Sequence, residues 1–179
     1  MTTETENDIV HRADRLFAAR SALAETKRPH RRFGVAELVQ FLNDPSRSLT
    51  PEEQRDLFAD PRLRADYRRL KARATTFELP ALAAASSGNV DARRFDGGSI
   101  AIHPSRIPGQ LYVIVRFNSP ADSPRAILLE STSGDILKRA LPSADQQGEV
   151  MMVLDQNNDA DAGFLRLLAD PTTTGTFVA

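Results

Sequence analysis

The hydrophobic pattern of this 179-residue chain changes its period once, near residue 75. Before that point apolar residues such as Val35, Leu38 and Leu42 recur at the three- to four-residue spacing of an amphipathic helix. Beyond about residue 96, short apolar runs such as 111–117 and 150–154 are separated by clusters of Gly, Pro, Asp and Ser. Runs of that length between turn residues are typical of antiparallel strands. The chain is therefore expected to start with helices and to continue with strands.

This order predicts an α+β fold in two parts. A small helical N-terminal domain of about four helices is expected over residues 1–74, and an antiparallel, sandwich-like β-rich domain over residues 96–179. Residues 75–95 are rich in Ala, Ser and Gly and are predicted to be a linker. Strands are predicted at 99–102, 111–117, 126–130, 136–141, 150–154 and 174–178, and helices at 8–23, 80–85 and 162–169.

Two adjacent helix starts are the strongest local signals in the sequence. Thr50 precedes Pro51, and Glu53 follows at the position that completes a capping box. Asp60 and Pro61 repeat the same order of a capping residue and then proline. One helix is therefore expected to begin at Pro51 and a second at Pro61.

Composition excludes several classes of function. The chain contains no cysteine and only three histidines, which argues against disulfides, thiolate catalysis and a metal centre, and no cofactor is expected. Its net charge of −1 gives no general attraction to nucleic acid or to an acidic membrane. The start of the chain is polar and acidic, and no apolar run has the length of a membrane span, so a cytoplasmic protein is expected.

Residues 33–73 resemble the zinc-finger-like N-terminal domain of bacterial anti-sigma factors. Leu49-Thr50-Pro51-Glu52-Glu53 matches the helix start of that family, and Pro61 matches the proline that often follows its first cysteine. Residues 64–70 look like the helix that follows. The three metal-ligand positions, however, fall on Asp56, Asp60 and Leu63. Leucine cannot bind a metal and two carboxylates do not make a tetrahedral zinc site, so the resemblance is to a metal-free form.

The resemblance implies a regulatory protein that sequesters a protein partner, such as an extracytoplasmic-function sigma factor, and blocks its contact with RNA polymerase. Helix-in-groove binding with an apolar face and a basic rim is the expected mode. The candidate partner-binding residues, which are divided between such a surface and the internal core, are Leu38, Leu42, Leu57, Phe58, Leu63, Arg64, Tyr67 and Arg68. An adaptor for another signalling protein or protease is the alternative, and a DNA-binding regulator is a third interpretation that the short break at Asp60-Pro61 disfavours.

The remaining chemistry-bearing residues form no complete motif. Residues 155–163 alternate acidic and amide side chains, but Ala160 and Arg166 stand where a calcium loop needs glycine and a bidentate glutamate, so a turn with Asp161 as helix cap is predicted. His103 lies near Ser105 without an orienting third group. No enzyme activity is therefore expected. The β-rich part is expected to bind a second protein partner or to receive a signal.

Overall fold

Alternating apolar residues build two antiparallel sheets of four strands that face each other across one core. The computed structural model describes residues 33–82, 88–120 and 123–179, and residues 33–179 form one compact unit. The helices in this region are α1 (Val35–Asn43), α2 (Pro51–Ala59), α3 (Pro61–Ala74) and α4 (Asp159–Ala169). The strands are β1 (Thr75–Leu79), β2 (Ala92–Phe95), β3 (Gly98–Pro104), β4 (Gln110–Phe117), β5 (Ala126–Glu130), β6 (Ile136–Ala140), β7 (Glu149–Asp155) and β8 (Thr174–Val178).

The two sheets are sheet A, in the order β1-β8-β5-β6, and sheet B, in the order β2-β3-β4-β7. The core between them takes apolar side chains from both sheets and from α4, and it includes four phenylalanines in mutual ring contact: Phe77, Phe95, Phe117 and Phe177. Six strands and helix α4 therefore lie where the sequence pattern predicts them, within a few residues at the ends.

The prediction of a separate helical N-terminal domain is wrong. Helices α1, α2 and α3 pack on the outer face of sheet A, where Leu128 of β5 and Ile136 of β6 join the helical residues in one buried cluster. The fourth described helix, α4, follows β7 and contributes to the other core. The helices are thus mixed with the sheets in a layered α+β structure, because sheet A is covered on both faces.

Strand β5 explains this layering. Its sequence, Ala-Ile-Leu-Leu-Glu, is apolar at four successive positions, and all four are buried. Ile127 and Leu129 face sheet B, whereas Leu128 faces the helices. A continuous apolar run of this length is what a strand covered on both faces requires.

Residues 75–95, predicted to be a linker, contribute two strands. Thr75 begins β1 directly after the last helical residue, Ala74, with no intervening turn. In β2 the inward positions are Arg93 and Phe95, so the buried arginine hides the apolar alternation. The Arg93 guanidinium donates 2.6 Å hydrogen bonds to the carbonyl oxygens of Pro80 and Thr173.

Two predicted helices remain without support. The described part of 80–85, residues 80–82, is not helical, and the predicted helix at 8–23 lies outside the described residues. No described helix is both long enough and apolar enough to cross a membrane.

Candidate functional site

The eight residues nominated from the sequence divide by exposure into two sets. Five are buried in the cluster between the helices and sheet A: Leu38, Leu42, Leu57, Leu63 and Tyr67. Phe58 is 41% exposed, Arg64 is half-buried and Arg68 is exposed. Phe58, Arg64, Tyr67 and Arg68 line one cavity, which we call the basic pocket.

The pocket depends on the two helix starts that the sequence marks. Thr50 accepts a hydrogen bond from the Glu53 amide, and the Glu53 carboxylate accepts one from the Thr50 amide. The Asp60 carboxylate accepts hydrogen bonds from the amides of Arg62 and Leu63. Because α2 ends and α3 begins at this cap, the chain turns there and Phe58 comes to lie beside the first turns of α3.

The floor of the pocket is a hydrogen-bonded group of three side chains. Glu130 accepts a hydrogen bond from the Tyr67 hydroxyl on one carboxylate oxygen and a 2.6 Å hydrogen bond from the Lys71 ammonium on the other. Burial, together with the adjacent Glu130 charge, raises the pKa of Tyr67 well above its ordinary value. Tyr67 therefore stays protonated, and both Glu130 oxygens already have a partner.

Arg64 and Arg68 contribute positive charge that is not compensated within the described residues. They are four residues apart on α3 and so lie on the same face of the helix. Neither guanidinium makes a side-chain hydrogen bond or ion pair with another described residue, whereas the neighbouring Arg69 pairs with Asp66 at 2.8 Å. Since Lys71 balances Glu130, the two arginines leave the pocket with a net positive charge.

The opposite wall of the pocket is the turn between β5 and β6. Ser131 and Gly134 line a cavity of about 180 Å³ together with the residues of α2 and α3. Gly134 has φ +96°, and a side chain built there would approach the Phe58 ring to 3.6 Å. The positive φ therefore favours glycine at this position, and the turn lies close to the Phe58 ring, which is 41% exposed.

A larger groove, of about 840 Å³, lies between α4 and the end of strand β3. Apolar side chains such as Ile102 and Leu165 form its walls, and His103 lies on its rim. Asp91 and Arg166 both line the groove, so its charge does not select one class of ligand.

Several residues that the sequence analysis weighed as metal-ligand positions have other roles in the structure. Among the described residues no group of three or more His, Cys, Asp or Glu side chains could hold a metal ion. Asp60 caps α3, and Leu63 is buried in the core. In the acidic run at 155–163 the cap of α4 is Asn158, and the prediction of Asp161 as the cap is wrong. Asp161 instead binds Arg139 at 2.6 Å.

Sequence reasoning missed Lys71, Glu130 and the turn at 131–134. Their contribution depends on the contact between α3 and the end of β5, which are about sixty positions apart. The local sign in the sequence was the cluster Ser133-Gly134-Asp135, which predicts a turn but not the helices that pack against it.

Comparison with known proteins gives no match to this chain among protein-family models, curated proteins or solved structures.

Proposed function

We propose that this chain is a regulatory protein that binds an acidic segment of a protein partner at the basic pocket. The observation that carries the proposal is the pair Arg64 and Arg68, which have no side-chain partner among the described residues and lie beside the half-exposed ring of Phe58. Arginine forks bind carboxylates in bidentate geometry, and an exposed aromatic ring next to them provides apolar contact area. Arginine and aromatic residues are also the types that contribute most to protein interfaces.

The buried residues restrict how a partner can bind. Leu57, Leu63 and Tyr67 contact the protein's own sheet, so they are not available for helix-in-groove docking while the fold is intact. A sigma factor, the partner that the family resemblance implies, would therefore be bound through Phe58 and the basic rim. An acidic surface on the partner fits this mode better than an apolar groove does.

The test is partner capture with matched charge reversals on α3. The wild-type protein, an Arg64→Glu/Arg68→Glu variant and an Arg62→Glu/Arg73→Glu variant serve as baits in extracts of the source cells. Arg62 and Arg73 are exposed on the same helix but lie outside the pocket. Each variant replaces two arginines by two glutamates, so the two variants have the same net charge. We expect one protein to be retained by the wild type and the control variant and lost from the pocket variant.

Titration of the purified partner then measures the interaction directly. The affinity is expected to fall as salt is raised, because exposed charges are screened. Equal loss with both charge reversals would indicate a non-specific charge effect and would contradict the pocket. Retention of a DNA duplex in place of a protein would support the nucleic-acid interpretation, whereas capture of a sigma factor would support the family resemblance.

A further inference from the structure

Among the described strands, β7 lies at an edge of sheet B and pairs with β4 alone. The Phe117 amide donates to the Gly148 carbonyl, and the Gln156 amide donates to the Gly109 carbonyl. Hydrogen-bonded pairs alternate in an antiparallel ladder, so the even-numbered residues of β7 direct their backbone groups toward β4. The odd-numbered residues, from Glu149 to Asp155, direct theirs to the outer edge.

Both ends of this outer edge are occupied by the protein itself. At one end, the Glu149 amide donates to the Asp145 carboxylate and the Glu149 carbonyl accepts from the Asp145 amide. At the other end, the Asp155 amide donates to the Asp161 carboxylate and the Asp155 carbonyl accepts from the Asn158 amide. The terminal backbone groups of the edge are thus satisfied.

The middle of the edge is open. The amides and carbonyls of Met151 and Val153 have no partner among the described residues. The same two residues are 56% and 51% exposed, and their side chains lie on the outer face of the sheet beside Ile114 and Tyr112 of β4. Four backbone groups without a described partner and two exposed apolar side chains therefore belong to the same two residues of β7.

We propose that this open edge receives an extended segment of a partner protein as a fifth strand of sheet B. Directly opposed residues in an antiparallel pair point to the same face, so the segment needs apolar side chains opposite Met151 and Val153. The bonds to the backbone supply affinity, and the two apolar positions supply specificity. This surface is separate from the basic pocket and does not depend on it.

The charges at the two ends of β7 indicate which residue types should flank the apolar core of the bound segment. Four carboxylates border the open edge at its two ends: Asp145, Glu149, Asp155 and Asp161. In the part of the chain that the structure describes, only Arg116, with Glu149, and Arg139, with Asp161, form ion pairs with them. Lysine or arginine on both sides of the apolar core of the segment complements this excess of negative charge. A second copy of the chain fits less well, because antiparallel pairing of two β7 strands brings the Glu149 end of one against the acidic Asp155 end of the other.

The probe is a synthetic peptide with the sequence Lys-Lys-Thr-Val-Thr-Val-Thr-Lys-Lys. Two N-methylated forms of the peptide serve as a test and a control. Methylation of both valine amides removes the hydrogen-bond donors that face β7. Methylation of the central threonine amide removes a donor that points away from β7, so this form is the control. NMR of the labelled protein should show slower hydrogen exchange at the Met151 and Val153 amides with the unmodified and threonine-methylated peptides. The valine-methylated peptide should produce no such protection.

Protein variants test the same edge from the other side. Val153→Pro removes an edge amide that β4 does not use, and a lost hydrogen bond of this kind should weaken peptide binding by about fivefold or more. Val153→Thr keeps the backbone and should weaken binding through the lost apolar contact. Ile107→Thr, at a loop residue that is 57% exposed, serves as the matched control and should bind as the wild type does.

Three results would overturn the proposal. These are the absence of peptide binding, binding that leaves the Met151 and Val153 amides unprotected, and equal weakening by Ile107→Thr. Concentration-dependent protection of these amides without peptide, together with a dimer mass in light scattering, would assign the edge to a second copy of the chain instead.

Discussion

Single polar side chains connect the helices to sheet A. The buried Lys138 of β6 donates hydrogen bonds to the carbonyl oxygens of Phe41 and Asp44 at the end of α1, and its ammonium lies 4.3 Å from the centre of the Phe41 ring. The Gln54 amide group donates to the Ile136 carbonyl and accepts from the Ile136 amide, both at 3.2 Å. Without Lys138 the carbonyl groups at the end of α1 would lack these hydrogen bonds, and without Gln54 the backbone groups of Ile136 at the edge of β6 would lack theirs.

Lys138 makes the stability of the protein depend on pH at the alkaline end. Burial lowers the pKa of Lys138 from 10.5 to about 8, and the nearby Asp44 charge acts in the opposite direction. Between these two values the unfolded chain binds more protons than the folded chain, so the contribution of this group to stability increases as pH rises. In urea unfolding, the wild type should therefore gain stability relative to Lys138→Met as the pH rises from about 8 to about 10.5. A difference that is constant over this range would contradict the lowered pKa.

Gln54→Ala tests the closure of the β6 edge. The variant leaves both backbone groups of Ile136 without their partner, and we expect a loss of about 1–3 kcal/mol in the free energy of unfolding. Gln147→Ala, in an exposed loop, is the matched control and should change stability by less than about 0.5 kcal/mol. Equal midpoints of urea unfolding for the two variants would show that the Gln54 contacts do not contribute.

At the scale of elements, the stretch from Ala59 to Tyr67 forms the start of α3, with a capping residue and an apolar face that is buried. Asp60 caps α3, Pro61 occupies its first turn, and Leu63 and Tyr67 begin the buried face. Asp60 and Leu63, two of the three positions compared with zinc ligands at the level of sequence, are thus used for capping and packing. The basic residues of α3 remain on the other face, which positions Arg64 and Arg68 at the pocket.

The cap of α3 should be measurable by substitution. Asp60→Ala removes the acceptor for two amide groups, and the expected cost is about 1 kcal/mol of stability, measured by thermal or urea unfolding. Asp60→Asn keeps an acceptor oxygen and should retain most of the wild-type stability. If both variants lost the same amount, the charge of Asp60 and not its capping hydrogen bonds would be responsible.

At the scale of the whole molecule, sheet A is the layer that both cores share. Leu128 contacts the helices while Leu129, the next residue, contacts sheet B. The helices and the sandwich therefore cannot lose their packing independently, and we expect one cooperative unfolding transition.

Leu128→Ala tests this coupling. Removal of a fully buried leucine should cost about 2–5 kcal/mol. The helical circular dichroism signal and the fluorescence of Tyr67 and Tyr112 should shift to the same lower midpoint, because the two tyrosines lie on opposite sides of the shared sheet. Met151→Ala, at an exposed position, should shift the midpoint little. Two separate transitions would show instead that the helices unfold on their own.

The sequence by itself determined the local structure of most elements. The starts of α2 and α3 follow from a capping residue and a proline, and the strands β3 to β8 follow from short apolar runs between turn residues, because both signals act over a few neighbouring residues. Phe58, Arg64 and Arg68 could be nominated in the same way, from the composition of two short helices.

Only the tertiary structure decided how these elements are arranged. That Leu57 and Tyr67 are internal depends on Leu128 and Glu130, which lie far along the chain and cover the face that a partner was expected to occupy. Strand β2 was hidden because one of its inward residues is Arg93, whose Nη2 donates hydrogen bonds to the carbonyl oxygens of Pro80 and Thr173, which lie elsewhere in the chain. Burial, partner atoms and open strand edges depend on long-range contacts, and a local period of hydrophobicity contains no information about them.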